Sequence, residues 1–218
     1  MKSITKAGIL LSILMLPVLV FLFLKLFAKN HYDIPTYFAT DSVLVNGRYK
    51  ITAAHKIPPF SFVDQNGDTF SSELLTDRIV VTGFLLPGEM AMSSKITTEL
   101  KRIQEAFADF PEVRILSFSI DSKNHDVSDT LKVYAETFRI DTSSWTLLAG
   151  SRDSVYSLAQ KGLLISSEQA SDTSEAPGET LVLIDKAGHI RGYYAGTDRA
   201  EIDRLIREIQ VLLYNYGN

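Results

Sequence analysis

The sequence predicts an α/β domain, a mixed sheet with helices on both faces, preceded by one N-terminal transmembrane helix. Three observations lead there: a long apolar run at the N-terminus, short apolar strands alternating with amphipathic helical stretches from Ile79 to Gln160, and a closing strand, turn, strand and helix from Thr180 onward. The chain divides accordingly into an anchor at residues 1–28, a tether at 29–56 and a domain at 57–218. With 218 residues, 45% of them hydrophobic, it is long enough for one well-buried core and a short appendage.

From Ala7 to Leu24 only Gly8, Ser12 and Pro17 interrupt the apolar run. As a helix it extends about 27 Å, close to the thickness of a hydrocarbon core. Lys2, Lys6 and the amino terminus precede the run, and Lys25 and Lys29 follow it, so flanking charge is nearly balanced. The order, charge first and then apolar, places the N-terminus in the cytoplasm and the domain on the extracytoplasmic, periplasmic side. A cleaved signal peptide is the rival reading. Its apolar core is normally shorter, and Leu26-Phe27-Ala28 puts a large residue where a small one is wanted.

Residues Lys29 to His55 carry Pro35 and mixed polar residues without sustained periodicity, which suits a tether. The domain opens near Ile57 with a short strand followed by Asp64-Gln65-Asn66-Gly67-Asp68, and Asn-Gly is the strongest short hairpin signal. Ile79 to Leu86 is an apolar run expected as a strand buried on both faces; Ile96, Leu100, Ile103 and Phe107 then recur at helical spacing. Val113 to Ile120 supplies the next strand, Val127 to Phe138 a helix, Trp145 to Leu148 a short strand and Ser154 to Gln160 another helix. Between Ser166 and Glu179 the composition turns to Ser, Thr, Glu, Gln, Ala and Gly, which cannot supply a core and reads as an exposed loop. Thr180 to Ile184 resumes as a strand, Lys186-Ala187-Gly188 turns the chain, and His189 to Tyr194 returns antiparallel. In the last helix Ile202, Leu205, Ile206, Ile209, Leu212 and Leu213 share one face, and Asp198 stands three residues before Glu201 at its start. A βαβ unit followed by a ββα unit in one mixed sheet is the thioredoxin-like arrangement.

Composition removes several functions. A net charge of -4 and the absence of any run of Lys or Arg give no reason to expect nucleic acid as a partner. The chain has no cysteine, which excludes disulfides, thiolate metal sites and thiol nucleophiles. A thiol oxidoreductase or peroxidase, the common use of a thioredoxin fold, therefore lacks its electron carrier and nucleophile, and no enzyme activity of that kind is expected.

The run Ile79-Val80-Val81-Thr82-Gly83-Phe84-Leu85-Leu86, the helix from Lys95 to Gln104, the strand Val113 to Asp121 and the ending Leu181 to Tyr194 resemble the SCO/SenC family, membrane-anchored thioredoxin-fold copper chaperones. The likeness covers the anchor and roughly Pro58 to the C-terminus. It implies that copper is held by two cysteines in a Cys-x-x-x-Cys loop after the first buried strand and by one histidine shortly before the strand ending Leu-Ile-Asp. Soft thiolates suit Cu(I), and imidazole allows Cu(II) as well. Counted back from Lys95-Ile96-Thr97, the cysteine positions fall on Glu89 and Ser93; counted back from Asp185, the histidine falls near Pro177. No histidine lies between His125 and His189, so a shift of register does not restore the ligand.

Glu89 follows Pro87-Gly88 before a helix, where exposed N–H groups and the positive dipole end favour a carboxylate. Ser93 and Ser94 are expected as helix caps, with no base to make either a nucleophile. Met90 and Met92 are two of four methionines, and the others, Met1 and Met15, lie in the start and the anchor. Either the pair offers soft thioether ligands to Cu(I), or both residues are adaptable apolar fillers at the loop-to-helix junction. His31, His55, His125 and His189 show no local metal spacing and read as solvated or structural. Asp121 and Asp185 end strands, where carboxylates commonly start turns.

The resemblance implies a membrane-anchored, non-redox binding or assembly factor linked to respiratory oxidase biogenesis, whose partner is an oxidase subunit or another assembly factor. It carries no cofactor unless copper is held. The alternative is a copper chaperone with a rebuilt Cu(I) site on Met90 and Met92.

Overall fold

The computed structural model describes residues 13–21, 23, 34–37, 39–45, 48–85, 90–119, 127–165 and 178–217. The chain forms two units, Met1–Asp33 and Ile34–Asn218. In the first, residues 13–21 and 23 are helical with exposed apolar side chains, Leu14 and Phe21 among them. Among the described residues no helix is long and apolar enough to cross a membrane.

The second unit begins with β1 (Ala39–Val45) and β2 (Arg48–Ala54), an antiparallel pair forming its own two-stranded sheet. This stretch departs from the expected tether without sustained periodicity, since it pairs as regular strands. Residues 34–37 depart from it too, because they are docked: Ile34 is buried in the main core, and the Tyr37 N–H donates to the carbonyl of Ile190 at 3.0 Å.

Next come β3 (Ser61–Asp64) and β4 (Thr69–Ser71), the hairpin expected around Asn66-Gly67. Asp64 Oδ1 accepts from the N–H groups of Asn66 and Asp68, and Gly67 takes φ +85°, a left-handed conformation that glycine adopts without strain. The core strands are β5 (Ile79–Leu85), β6 (Val113–Ser119) and β7 (Trp145–Ala149), linked by helices α1 (Met90–Ala106) and α2 (Val127–Phe138). Helix α3 (Arg152–Ser157) continues as a π-turn, Leu158–Gly162, in which the N–H of Leu163 reaches the carbonyl of Leu158. Strands β8 (Thr180–Ile184) and β9 (Ile190–Ala195) and helix α4 (Arg199–Gly217) close the unit. Of the expected loop from Ser166 to Glu179, residues 166–177 lie outside the described residues; at its end Gly178 is buried and Glu179 accepts from the N–H of Gly196 at 2.7 Å.

The seven strands run in the order β4-β3-β7-β6-β5-β8-β9, with β5, β6 and β7 parallel and the others antiparallel to their neighbours. This is the mixed, thioredoxin-like sheet that the element order predicts. Every residue of β5 is buried, as a strand covered on both faces requires. Its odd positions, Ile79, Val81 and Leu85, enter one core with Ile96, Leu100, Ile103 and Phe107 of α1 and its extension, Leu131 of α2 and Ile202, Leu205 and Ile209 of α4. Val80 and Phe84 enter a second core with Leu116, Phe118, Val155, Leu158 and Leu163. Helices therefore cover both faces, and each buried Leu or Ile contributes about 1.5–3 kcal/mol.

Two polar side chains add cross-strand bonds to the sheet. Gln65 extends the β3–β7 ladder by accepting from the N–H of Leu147 at 3.0 Å, and Trp145 Nε1 donates to Ser117 Oγ at 3.0 Å across β6 and β7. Gly83 leaves room for Leu181: a Cβ there would stand 2.5 Å from the leucine Cδ2.

Candidate functional site

Strands β5 and β6 end side by side, Leu85 against Ser119, and the antiparallel β8 begins at the same edge, since Val182 pairs with Thr82 and Thr180 precedes it. The carboxyl edge of parallel strands is where open α/β sheets place their ligands. Positions 89, 125 and 177 belong to the three connections that leave or reach this edge. Glu89, Pro177, Asp121 and His125 lie outside the described residues, as does His31.

Of the positions matching the family ligands, Ser93 is described. It is 1% exposed and sits on the inward stripe of α1 with Ile96, Thr97 and Leu100. Because α1 starts at Met90, neither Ser93 nor Ser94 is the cap expected of it. The carbonyl of Ser94 accepts from Thr98 Oγ1 at 2.8 Å, a bond within the helix. Tyr134 of α2 lies over this turn: its hydroxyl meets Thr97 Oγ1 at 2.5 Å and donates to the carbonyl of Ser93 at 3.3 Å. Burial holds the Tyr134 phenol above its ordinary pKa, with the Thr97 hydrogen bond opposing. Met92 is half-buried and packs against the main core; Met90 is the first residue of the helix.

Apart from the Met92 thioether, the donors along this turn are hydroxyl and carbonyl oxygens, which are hard ligands unsuited to Cu(I). Among the described residues no group of three or more His, Asp or Glu stands close enough to hold a metal ion. The remaining histidines are engaged elsewhere. His55 Nε2 donates to the carbonyl of Gly162 at 2.7 Å, and His189 Nδ1 lies 3.6 Å from Asp185 Oδ2 in the turn after β8.

Asp185 is structural, as expected of a turn carboxylate. It accepts from the N–H groups of Ala187 and His189, each at 2.9 Å, and from Arg191 at 3.3 Å. Arg191 also donates to Thr36 Oγ1 at 2.9 Å and to the carbonyl of Ile34, fastening the start of the unit. The Arg191 bonds to Thr36 and Ile34 and the Tyr134–Thr97 contact carry no local sequence signal, because each joins residues far apart in the chain.

A family model described as SCO1/SenC matches residues 49–213. A curated relative, the SCO1 protein homolog of Bacillus subtilis (strain 168), is 23% identical over 159 residues, which cover 72% of this chain and 82% of the relative. Among solved structures, BsSco, described as having a disulfide switch and as a member of the Sco family of cytochrome c oxidase assembly proteins, is similar with a TM-score of 0.57 and 22% identity over 73% of this chain and 94% of its own. Yeast Sco1 with copper bound is similar with a TM-score of 0.54 and 16% identity, covering 72% and 94% of the two chains. Those structural likenesses speak for the fold, while the family match spans most of the chain. The chain belongs to the SCO1/SenC family and, lacking any cysteine, is a divergent member of it.

Proposed function

We propose that the chain acts as a binding or assembly factor in cytochrome oxidase biogenesis, working without thiol redox chemistry. Residues 1–28 would hold it to the membrane, with the domain on the extracytoplasmic side. One observation carries the reading: a chain matched by the family model over residues 49–213 contains no cysteine. Without thiolates it has neither the soft grip for Cu(I) nor a redox couple, so what remains is the scaffold and its surfaces. The description of BsSco as a cytochrome c oxidase assembly protein supports an oxidase subunit or another assembly factor as partner. Burial of Ser93 inside α1 supports it further, since a buried hydroxyl at that position is held for packing.

The test pairs a genetic and a chemical measurement. Deleting the chromosomal copy should lower the amount of assembled oxidase, and the wild-type chain and a Met90→Leu, Met92→Leu variant should restore it equally. The purified full chain should lose Cu(I) to a competing chelator. Stoichiometric copper retention that disappears in the double variant would overturn the proposal in favour of a rebuilt methionine site; the packing of Met92 against the core weighs against that outcome. An alkaline phosphatase fusion after Asn218 should be active, and an inactive fusion would reverse the topology.

A further inference from the structure

The docking of Ile34 fixes how far the domain can stand from whatever holds residues 1–28. Ile34 is buried in the core that Leu212 of α4 also enters, and Arg191 donates to its carbonyl and to Thr36 Oγ1. The chain therefore joins the domain at one place, beside the turn from Asp185 to Gly188, since Asp185 accepts from the same Arg191. From residue 28, the last of the expected anchor, six peptide steps lead to Ile34. Fully extended, they reach about 21 Å. With residues 1–28 in a bilayer, the reading on which this inference rests, this end of the domain stays within that distance of the point where the anchor ends.

The end of α4 meets the same turn. Lys186 Nζ lies 5.4 Å from the centroid of the Tyr216 ring, which brings the last turn of α4 beside the turn between β8 and β9. Tyr214 is 61% exposed and Tyr216 42%, large values for rings on a folded surface. A tyrosine combines an apolar ring with a wet hydroxyl and favours the headgroup level of a bilayer. A lysine beside it lays its stem along apolar surface and keeps its ammonium in water. Pro35 and Ala187, next to them in the chain entry and the turn, are exposed and uncharged. The same end of the sheet carries charges of both signs: Glu73 after β4, Asp77 and Arg78 before β5, and Glu112 before β6. Asp185 itself is buried and paired with Arg191. Net charge thus selects no lipid, and the short reach and the aromatic contact set the orientation.

Helix α4 measures the other direction. Its 19 residues run from Arg199 to Gly217, and 18 steps of helical rise separate the two ends by about 27 Å. Arg199 follows the end of β9, where Ala195 pairs with Thr180 at the carboxyl edge of the parallel strands. We propose that the turn from Asp185 to Gly188 and the last turn of α4 rest on the lipid headgroup layer, with Tyr214, Tyr216 and Lys186 in contact with it. The carboxyl edge, where the family's ligand positions fall, then points away from the bilayer, and an assembly partner meets the domain from that side.

The chain has no cysteine, so single thiols can be introduced and labelled without background. Arg199 and Gly217 are both exposed, and a Cβ at 217 meets no atom within 4 Å. Arg199→Cys and Gly217→Cys, each carrying a fluorescein donor, are compared as full chains in phosphatidylcholine nanodiscs containing a trace of rhodamine-labelled lipid. Energy transfer from position 217 should exceed that from 199 by about 2-fold or more, given the helical rise between them. Tyr214→Ser with Tyr216→Ser should narrow that difference by about half or more, with circular dichroism confirming that the variant is folded. Equal transfer from the two positions, stronger transfer from 199, or a difference untouched by the double variant would overturn the proposal while leaving the anchor in place. A chain that does not co-elute with nanodiscs would overturn the anchor itself, and the orientation with it.

Discussion

Two buried hydroxyls on paired strands should respond to removal with opposite signs. Thr82 stands opposite Leu116, and the next residue pair is Gly83 with Ser117, so the two groups are near neighbours in the sheet. Both are buried, yet Ser117 Oγ accepts from Trp145 Nε1 at 3.0 Å while Thr82 Oγ1 has no partner. Ser117→Ala strands a buried indole N–H and should cost about 1–3 kcal/mol. Thr82→Val replaces an unpaired hydroxyl with a methyl of similar shape and should stabilise the chain by about 1 kcal/mol. For a unit of this size each kcal/mol moves the thermal midpoint by about 2–4 °C, so the two variants should differ by at least about 4 °C. Trp145 is the single tryptophan and is wholly buried, so its emission reports urea unfolding; circular dichroism provides the parallel readout for Ser117→Ala, which alters the indole's surroundings. A valine at 82 that lowers stability by about 1 kcal/mol or more would refute the reasoning, because only a hydroxyl that is paired in the folded state costs that much to remove.

Three further expectations follow from the same geometry. Arg191→Met keeps the apolar stem but removes the bonds to Ile34, Thr36 and Asp185; the Tyr37 amide should then exchange faster, and unchanged protection would count against the clasp. Burial and the Glu208 carboxylate hold the Tyr194 phenol well above its ordinary pKa, and burial does the same to Tyr193. The folded chain thus keeps protons that the unfolded chain releases above about pH 10, so their stability contribution is full below that pH and falls as pH rises beyond it. Tyr194→Phe should flatten this alkaline decline in denaturation midpoints measured across the range, and an unaltered slope would exclude the tyrosine as its source. Gly83→Ala drives a Cβ to within 2.5 Å of Leu181 in a fully packed core and should cost about 1–3 kcal/mol by urea titration; a neutral result would mean that Leu181 has another rotamer to occupy.

Much of the fold is legible in the sequence because burial on both faces of β5 imposes a largely apolar run, and α1 and α4 carry their apolar residues at helical spacing. Helix α2 is read from Val127 to Phe138 with the bounds it has in the structure. The pair β1 and β2 is less legible. Asn46-Gly47 is a hairpin dipeptide and residues 48–53 alternate polar and apolar, but Asp41 and Ser42 stand side by side and break the alternation that would announce the strand before it. The missing thiolates are plain from composition. The fate of Ser93 is not, since a serine near a helix start ordinarily signals a cap, and here α1 begins three residues earlier and turns that serine inward. The Thr97–Tyr134 bond, the Arg191 clasp and the burial of the Thr82 hydroxyl are products of tertiary packing, to which periodicity along the chain is blind.

The stitching around β9 also bears on how this protein can vary. Just before β1, the backbone N–H of Tyr37 is pinned to Ile190; just after β2, Lys56 bridges to His189 and the N–H of Ile57 is pinned to Gly188. The hairpin is thus an excursion that departs from and returns to adjacent points on one strand end. Lengthening, shortening or exchanging it would leave the entry of the chain into the sheet where it is, because closing a loop between ends already held together adds little entropy cost per added residue. Such a segment is free to diversify toward whatever it meets outside, while the core behind it stays unchanged.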